Sequence, residues 1–381
     1  MTVVHVVEGR VVLPDATVVD ADLELTDGTI TAIAPTGSLS SVCHERIAVD
    51  GHLVTPGFVD IQINGGWGHD FTADPTSIAA VAAELPVTGV TSFVPTVVTS
   101  PASRRVAAFD AVAALVSAPG SARPLGLHFE GPAISPARKG AHDERFIGMP
   151  DPDELDRWTP DHGLTMVTIA PELDGATDLI RLLVERGVVV AIGHTACTAA
   201  EFVGARAAGA TVVTHLFNAM APFGHRSPGP IGATLADPDV RAGLICDGIH
   251  ADPVAIRMAW RSLGAARFVL VTDAMAALGV PGGETQLASL AVTVGPDGVR
   301  LADGTLAGSN LRLDQAVRNL VAMTDCAVPE AVRAATTTPA DVIGRSDLGR
   351  IAEGATADLV VLDPDLHVVH TIIGGVTAWK S

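Results

Sequence analysis

Eight apolar, strand-like runs separated by alanine-rich helical stretches constrain this chain more than any other feature. The runs cover residues 54–61, 90–95, 125–130, 164–169, 188–194, 211–215, 242–247 and 268–273. Helical patterns at 76–85, 176–186, 198–208 and 254–263 fall between them. Strands that are apolar throughout, rather than on alternate residues, are those buried on both faces of a parallel sheet, and strand–helix alternation is the mark of repeated βαβ units. Five or six such units would leave an open, doubly wound sheet, whereas eight close a barrel. The expected fold is therefore a (β/α)8 TIM barrel over residues 54–351.

The two ends of the chain differ from this middle. Residues 1–53 read as short strands, V-V-H-V-V, R-V-V-L, D-L-E-L-T and T-I-T-A-I-A, broken by turn signals such as Asp27-Gly28 and Asp50-Gly51. Residues 357–363 and 367–373 repeat that texture within the segment 352–381. Isolated hairpins are only marginally stable in water, so both ends are expected to pair in one small β-sandwich domain.

Charge and cysteine content narrow the partners. With 24 Lys and Arg against 43 Asp and Glu, the 381-residue chain carries a net charge of −19, which repels nucleic acid and anionic membranes at long range. A small anionic substrate remains compatible, because one or two Arg or His in a pocket reverse the potential locally. Cys43, Cys197, Cys246 and Cys326 form no C-x-x-C pair, which signals neither a disulfide framework nor a thiolate zinc site and suits a reducing cytoplasm. No signal peptide is read in residues 1–19, and no apolar run approaches the ~18 residues of a membrane helix.

The polar residues carry the chemistry. Asp60, Gln62, Glu130, Glu172, His194, His215, Asp247, His250 and Asp273 stand at or just past the C-terminal ends of the apolar runs, the ends that meet on the catalytic face of a barrel. Each alone reads more readily as a hydrogen-bonded cap. Glu130, His194 and His215 together make a His2Glu donor set, one that catalytic zinc sites use while keeping a position open for water. An ion held there lowers the pKa of water toward ~7 and polarises a carbonyl, which is what amide hydrolysis needs. Asp273 is placed to take a proton from that water and pass it to the leaving amine; as an N-cap for residues 274–277 it would have only a local role. The chain has two lysines, Lys139 in a loop and Lys380 near the C-terminus, so a carbamylated lysine on a barrel strand, as in the dihydroorotase, hydantoinase and urease type, is ruled out.

These motifs resemble the amidohydrolase superfamily, and within it the N-acetylglucosamine-6-phosphate deacetylase family, over essentially the whole chain. The resemblance rests on P-G-F-V-D-I-Q-I-N-G at 56–65, H-F-E-G-P at 128–132, K-G-A-H at 139–142, G-H-T at 193–195, T-H-L-F-N-A-M at 214–220, D-G-I-H at 247–250, T-D-A at 272–274 and L-A-G-S at 306–309. It implies deacetylation of N-acetyl-D-glucosamine 6-phosphate, with metal ligation by Glu130, His194 and His215 and Asp273 as general base and then acid. It further implies that His142 polarises the acetamide carbonyl and that Asn218, the Ala219 backbone, Arg226 and His250 hold the phosphate, with Ala141, Leu306, Ala307 and Gly308 also at the substrate. Outside this context Arg226 and His250 read as ordinary loop cations.

Where many members of the superfamily carry H-x-H for a second metal, this chain has Gln62-Ile63-Asn64, and amides are poor zinc ligands beside imidazole. One divalent ion per subunit is expected, zinc first, with iron, manganese, cobalt or cadmium as alternatives and a weak second site using water and Gln62 left open. The Gly- and Pro-rich segment 217–230 is long enough to reach a neighbouring subunit, so a homodimer with Arg226 serving the partner's site is an expectation. Two competing readings are an amidohydrolase for a neutral substrate, of the D-aminoacylase or nucleobase deaminase type, and a barrel that has lost catalysis. The phosphate-binding residues weigh against the first, and the intact metal and base residues against the second.

Overall fold

The structure, a computed structural model, describes residues 2–288 and 290–381. Its centre is a ring of parallel strands: β1 (Phe58–Ile63), β2 (Val90–Val98), β3 (Leu127–Glu130), β4 (Leu164–Ile169), β5 (Val189–Ile192), β6 (Val212–Val213), β7 (Arg241–Leu244) and β8 (Phe268–Leu270). Each pairs with the next in chain order. The seam between β8 and β1 closes just beyond the strands, where Ile63 and Ala274 form a parallel bridge and Asp273 N donates to Gln62 O at 2.9 Å. Lower in the same seam the Thr272 hydroxyl donates to Asp60 Oδ2 at 2.5 Å. Asp60 has no solvent exposure, and burial pushes its carboxyl up to about 7.

Helices cover the outside because their apolar residues recur every three or four positions. The helix Ala176–Glu185 buries Ala176, Leu179, Ile180 and Leu183 against the ring, the stripe expected of an amphipathic helix. The helix Ala199–Ala207 starts with a capping box between Thr198 and Glu201, which satisfies two donors that the first turn otherwise leaves unpaired.

One unit departs from the expected alternation. Between β3 and β4 there is no α-helix, only short 3-10 turns. Prolines 132, 136, 150, 152 and 160 each remove a backbone donor and would clash inside a helix. The resulting loop is held by Glu154, whose carboxylate receives two bonds, at 2.9 and 3.0 Å, from the buried Arg105 on helix Ala102–Ala114.

Eight strands from both chain ends join in one sheet: Val3–Val12, Val18–Thr26, Thr29–Pro35, Glu45–Ala48, Leu53–Pro56, Leu359–Leu362, Val368–Ile373 and Val376–Lys380. Side chains alternate across it. Val54, Leu359 and Val361 face a small core with Leu23, Leu25 and Ile47, while Leu53, Val360 and Leu362 pack on the barrel.

The run 54–61, read as one strand, is therefore two. Leu53–Pro56 belongs to the terminal sheet, pairing with Val3–Val12 and Leu359–Leu362, and β1 begins at Phe58. Gly57 makes the passage, since a Cβ there would lie 2.2 Å from Thr91 Oγ1. Conversely, the two short strands expected at 3–13 are one strand with a bulge at Glu8 (φ 62°) and Gly9.

A third sheet, the antiparallel strands Gly283–Leu287, Leu290–Gly295 and Gly298–Arg300, follows β8 and was not expected from the strand count. Its signal was present in the alternation at 290–294 and in Asp297-Gly298, a common hairpin turn. Among the described residues no helix is long and apolar enough to cross a membrane.

Candidate active site

The ends of β3, β5, β6 and β8 open onto a cleft of about 450 Å³. Glu130 is the last residue of β3, His194 and His215 follow β5 and β6 by two residues, and Asp273 follows β8 by three. Three of these four have left-handed backbone, with φ of 48° at His194, 27° at His215 and 49° at Asp273. For residues with side chains this conformation costs of order 1–3 kcal/mol and persists only where surroundings impose it. Here the imposing surroundings are tight. At Gly193, just before His194, a Cβ would lie 2.7 Å from Thr214 Cβ and 2.8 Å from Thr168 Cγ2.

Glu130 Oε1 lies 3.1 Å from His194 Nε2 and 2.9 Å from His215 Nε2, and the two ring nitrogens are 3.1 Å apart. All three residues are buried. His194 Nδ1 donates to the Arg138 carbonyl at 3.0 Å. A carbonyl oxygen only accepts, so the proton of the neutral ring sits on Nδ1 and the Nε2 lone pair faces the Glu130 carboxylate. A spacing of ~3 Å suits donors sharing one ion at ~2.0–2.2 Å. The donor set thus fits a divalent ion. His215 Nδ1 is buried without a partner, so the usual orienting contact behind a metal-binding imidazole is present for His194 and missing for His215.

Gln62 and Asn64 bind carboxylates. Gln62 Nε2 donates to Glu130 Oε1 and to Asp273 Oδ1, both at 3.2 Å, and Asn64 Nδ2 donates to Asp273 Oδ1 at 2.8 Å. Asp273 Oδ1 is fully engaged, which leaves Oδ2 as its reactive oxygen. Burial, then the nearby Glu130 charge, push this carboxyl up to about 6. The N-cap alternative disappears, because no helix begins after Asp273. His142, on the β3–β4 loop, is buried beside His194 with ring centroids 4.3 Å apart. Burial lowers it to about 3, so its ring is neutral.

Of the residues expected at the substrate, Ala141, Asn218, Ala219, His250, Leu306 and Gly308 line the cleft. His250 is held through Nδ1 by Asp247 Oδ2 at 2.6 Å, leaving Nε2 free. Ala307 lies behind the wall, fully buried with Met275 and Val299. Arg226 is exposed on a turn closed by reciprocal Gly224–Ser227 backbone bonds and does not line this cleft.

Two lining cations were not singled out from sequence, Arg138 and Arg300. Arg138 Nε is buried without a partner, and Arg300 donates to the main-chain oxygens of Asp297 and Gly304. No motif marks Arg300, since the unforeseen third sheet brings it there. Arg138 adjoins the K-G-A-H motif, a signal that was legible.

The chain is similar to known proteins over most of its length. Residues 53–378 match the model of the Amidohydrolase family. The N-acetylglucosamine-6-phosphate deacetylase of Homo sapiens is 40% identical over 357 residues, 89% of this chain and 87% of the relative. The N-acetylgalactosamine-6-phosphate deacetylase of Escherichia coli O157:H7 is 37% identical, over 93% of this chain and 94% of its own. A mutant N-acetyl-D-glucosamine-6-phosphate deacetylase from Mycobacterium smegmatis, solved with N-acetyl-D-glucosamine-6-phosphate, superposes with a TM-score of 0.89 at 34% identity, covering 100% of this chain and 99% of that one.

Proposed function

Since the chain belongs to the amidohydrolase family, and within it to the N-acetylglucosamine-6-phosphate deacetylases, we propose that it hydrolyses N-acetyl-D-glucosamine 6-phosphate to D-glucosamine 6-phosphate and acetate. The observation that carries this reading is the convergence of Glu130, His194, His215 and Asp273 on one cleft. Glu130, His194 and His215 would hold one divalent ion, zinc first, which when bound supplies a Lewis acid and a more acidic water. Asp273 Oδ2 takes a proton from the attacking water as the new C–O bond forms. It then delivers that proton to the amine nitrogen as the C–N bond breaks. His142 donates a hydrogen bond to the acetamide oxygen where negative charge develops.

The phosphate, carrying about −1.5 to −2 charges near neutral pH, is assigned to Asn218, the Ala219 backbone and His250, with Arg138 and Arg300 as neighbouring cations. Arg226 is exposed and does not line its own cleft, and we infer that it serves the cleft of a second copy in a homodimer. Losing such a charge-assisted contact costs ~1.5–3 kcal/mol, or roughly 10- to 150-fold in affinity. Arg226→Ala should raise KM for the phosphorylated sugar by that factor and leave the unphosphorylated sugar unaffected. Mixing Arg226→Ala with Asp273→Asn subunits at substrate well below KM should then give more activity than the two alone, because mixed dimers regain one complete site. No gain on mixing would place Arg226 outside the partner's site.

The reading as a whole is tested by acetate release from N-acetylglucosamine with and without its 6-phosphate, with N-acetylgalactosamine 6-phosphate as a third substrate. Equal efficiency with and without phosphate would move the assignment to a neutral-substrate amidohydrolase. Four free cysteines, two of them buried, support a reducing, cytoplasmic setting.

A further inference from the structure

We propose that Thr99 is a positioning residue for the reaction, holding the His142 ring with its proton on Nε2 and that N–H directed into the cleft. Thr99 stands one residue past β2 and is buried. Its backbone N–H donates to His142 Nδ1 at 3.3 Å, and its Oγ1 lies 2.8 Å from the same atom. A backbone N–H cannot turn round. It points at Nδ1, so Nδ1 accepts, and the single proton of a neutral imidazole must sit on Nε2.

The Thr99 hydroxyl lies within donating distance of both Nδ1 and the Glu130 carbonyl oxygen, 3.2 Å away, and can rotate between them. Gly131 makes room for it: a Cβ at that position would lie 2.3 Å from Thr99 Oγ1. On the other side of the ring, Nε2 is 3.9 Å from Glu130 Oε2, too far for a hydrogen bond. The Nε2–H is thus left for an acceptor in the cleft.

With the opposite tautomer Nε2 would carry a lone pair toward the acetamide oxygen, and the contact would turn from attractive to repulsive. The proposal rests on the reading of His142 as donor to that oxygen. It adds a residue 43 positions away in sequence that decides whether His142 can donate at all.

The test combines spectroscopy and kinetics. Long-range 1H–15N spectra of 15N-histidine-labelled protein, with His142 assigned by its loss in His142→Asn, should show Nε2 protonated and Nδ1 not. Thr99→Val keeps the shape and the backbone donor but removes the hydroxyl. It should lower kcat about fivefold, the worth of one net hydrogen bond, with KM within about twofold and metal content unchanged. Thr99→Ser should recover most of the loss. A proton on Nδ1 in the unaltered protein, wild-type kcat in Thr99→Val, or a loss that serine does not recover would each overturn the role given to Thr99. Full turnover in His142→Ala would overturn the donor reading beneath it, an outcome distinct from an impaired His142→Ala beside an unaffected Thr99→Val.

Discussion

His215→Ala is expected to abolish acetate release and to leave the protein without bound metal, which elemental analysis of the purified variant would check. Two remaining protein ligands hold zinc poorly, and Gln62 is a poor replacement because amides are weak zinc ligands beside imidazole. His194→Ala should lose metal and activity as well, but with a wider structural effect. His194 also donates to the Arg138 carbonyl, a tie to the loop that carries Ala141 and His142, whereas His215 Nδ1 holds nothing. His215→Ala is therefore the cleaner test of ligation. Its melting temperature, compared with that of the wild type stripped by a chelator, should be close to the latter. Full metal stoichiometry in either variant would show that the ligand set is wrong.

Asp273→Asn should keep metal and fold while lowering kcat by about 10^2 to 10^4, the usual worth of a positioned general acid or base. The substitution is conservative for a specific reason. The Oδ1 of asparagine still accepts from Asn64 and Gln62, which places its Nδ2 where Oδ2 stood. The geometry survives and the proton acceptor is lost. Turnover near that of the wild type would remove the base assignment.

The same carboxylate sets the acid limb of the pH profile. Asp273 must be ionised to accept a proton, and its carboxyl is raised to about 6 by burial and by Glu130. A bound cation pulls the value down again. Activity should accordingly fall as pH drops through a value at or below about 6, and the remaining activity of Asp273→Asn should lack that limb.

Sequence alone determined the architecture and which polar residues gather at the cleft. Uniformly apolar runs at βαβ spacing specify strands buried on both faces, and the residues ending those runs must meet on one face when eight strands close. Glu130, His194, His215 and Asp273 were legible for that reason. Pairing of the chain ends was legible from composition and texture, since short strands need partners.

Only tertiary structure decided the rest, because it depends on directions and contacts that a list of residues does not contain. The placement of Leu53–Pro56 in the terminal sheet turns on Gly57 passing Thr91. The left-handed backbone at His194, His215 and Asp273 has no local signal, since it is imposed by packing between strands. The absence of Arg226 from the lining of its own cleft is likewise visible only in the fold. The contact of Thr99 with His142 Nδ1 arises only because β2 and β3 lie side by side.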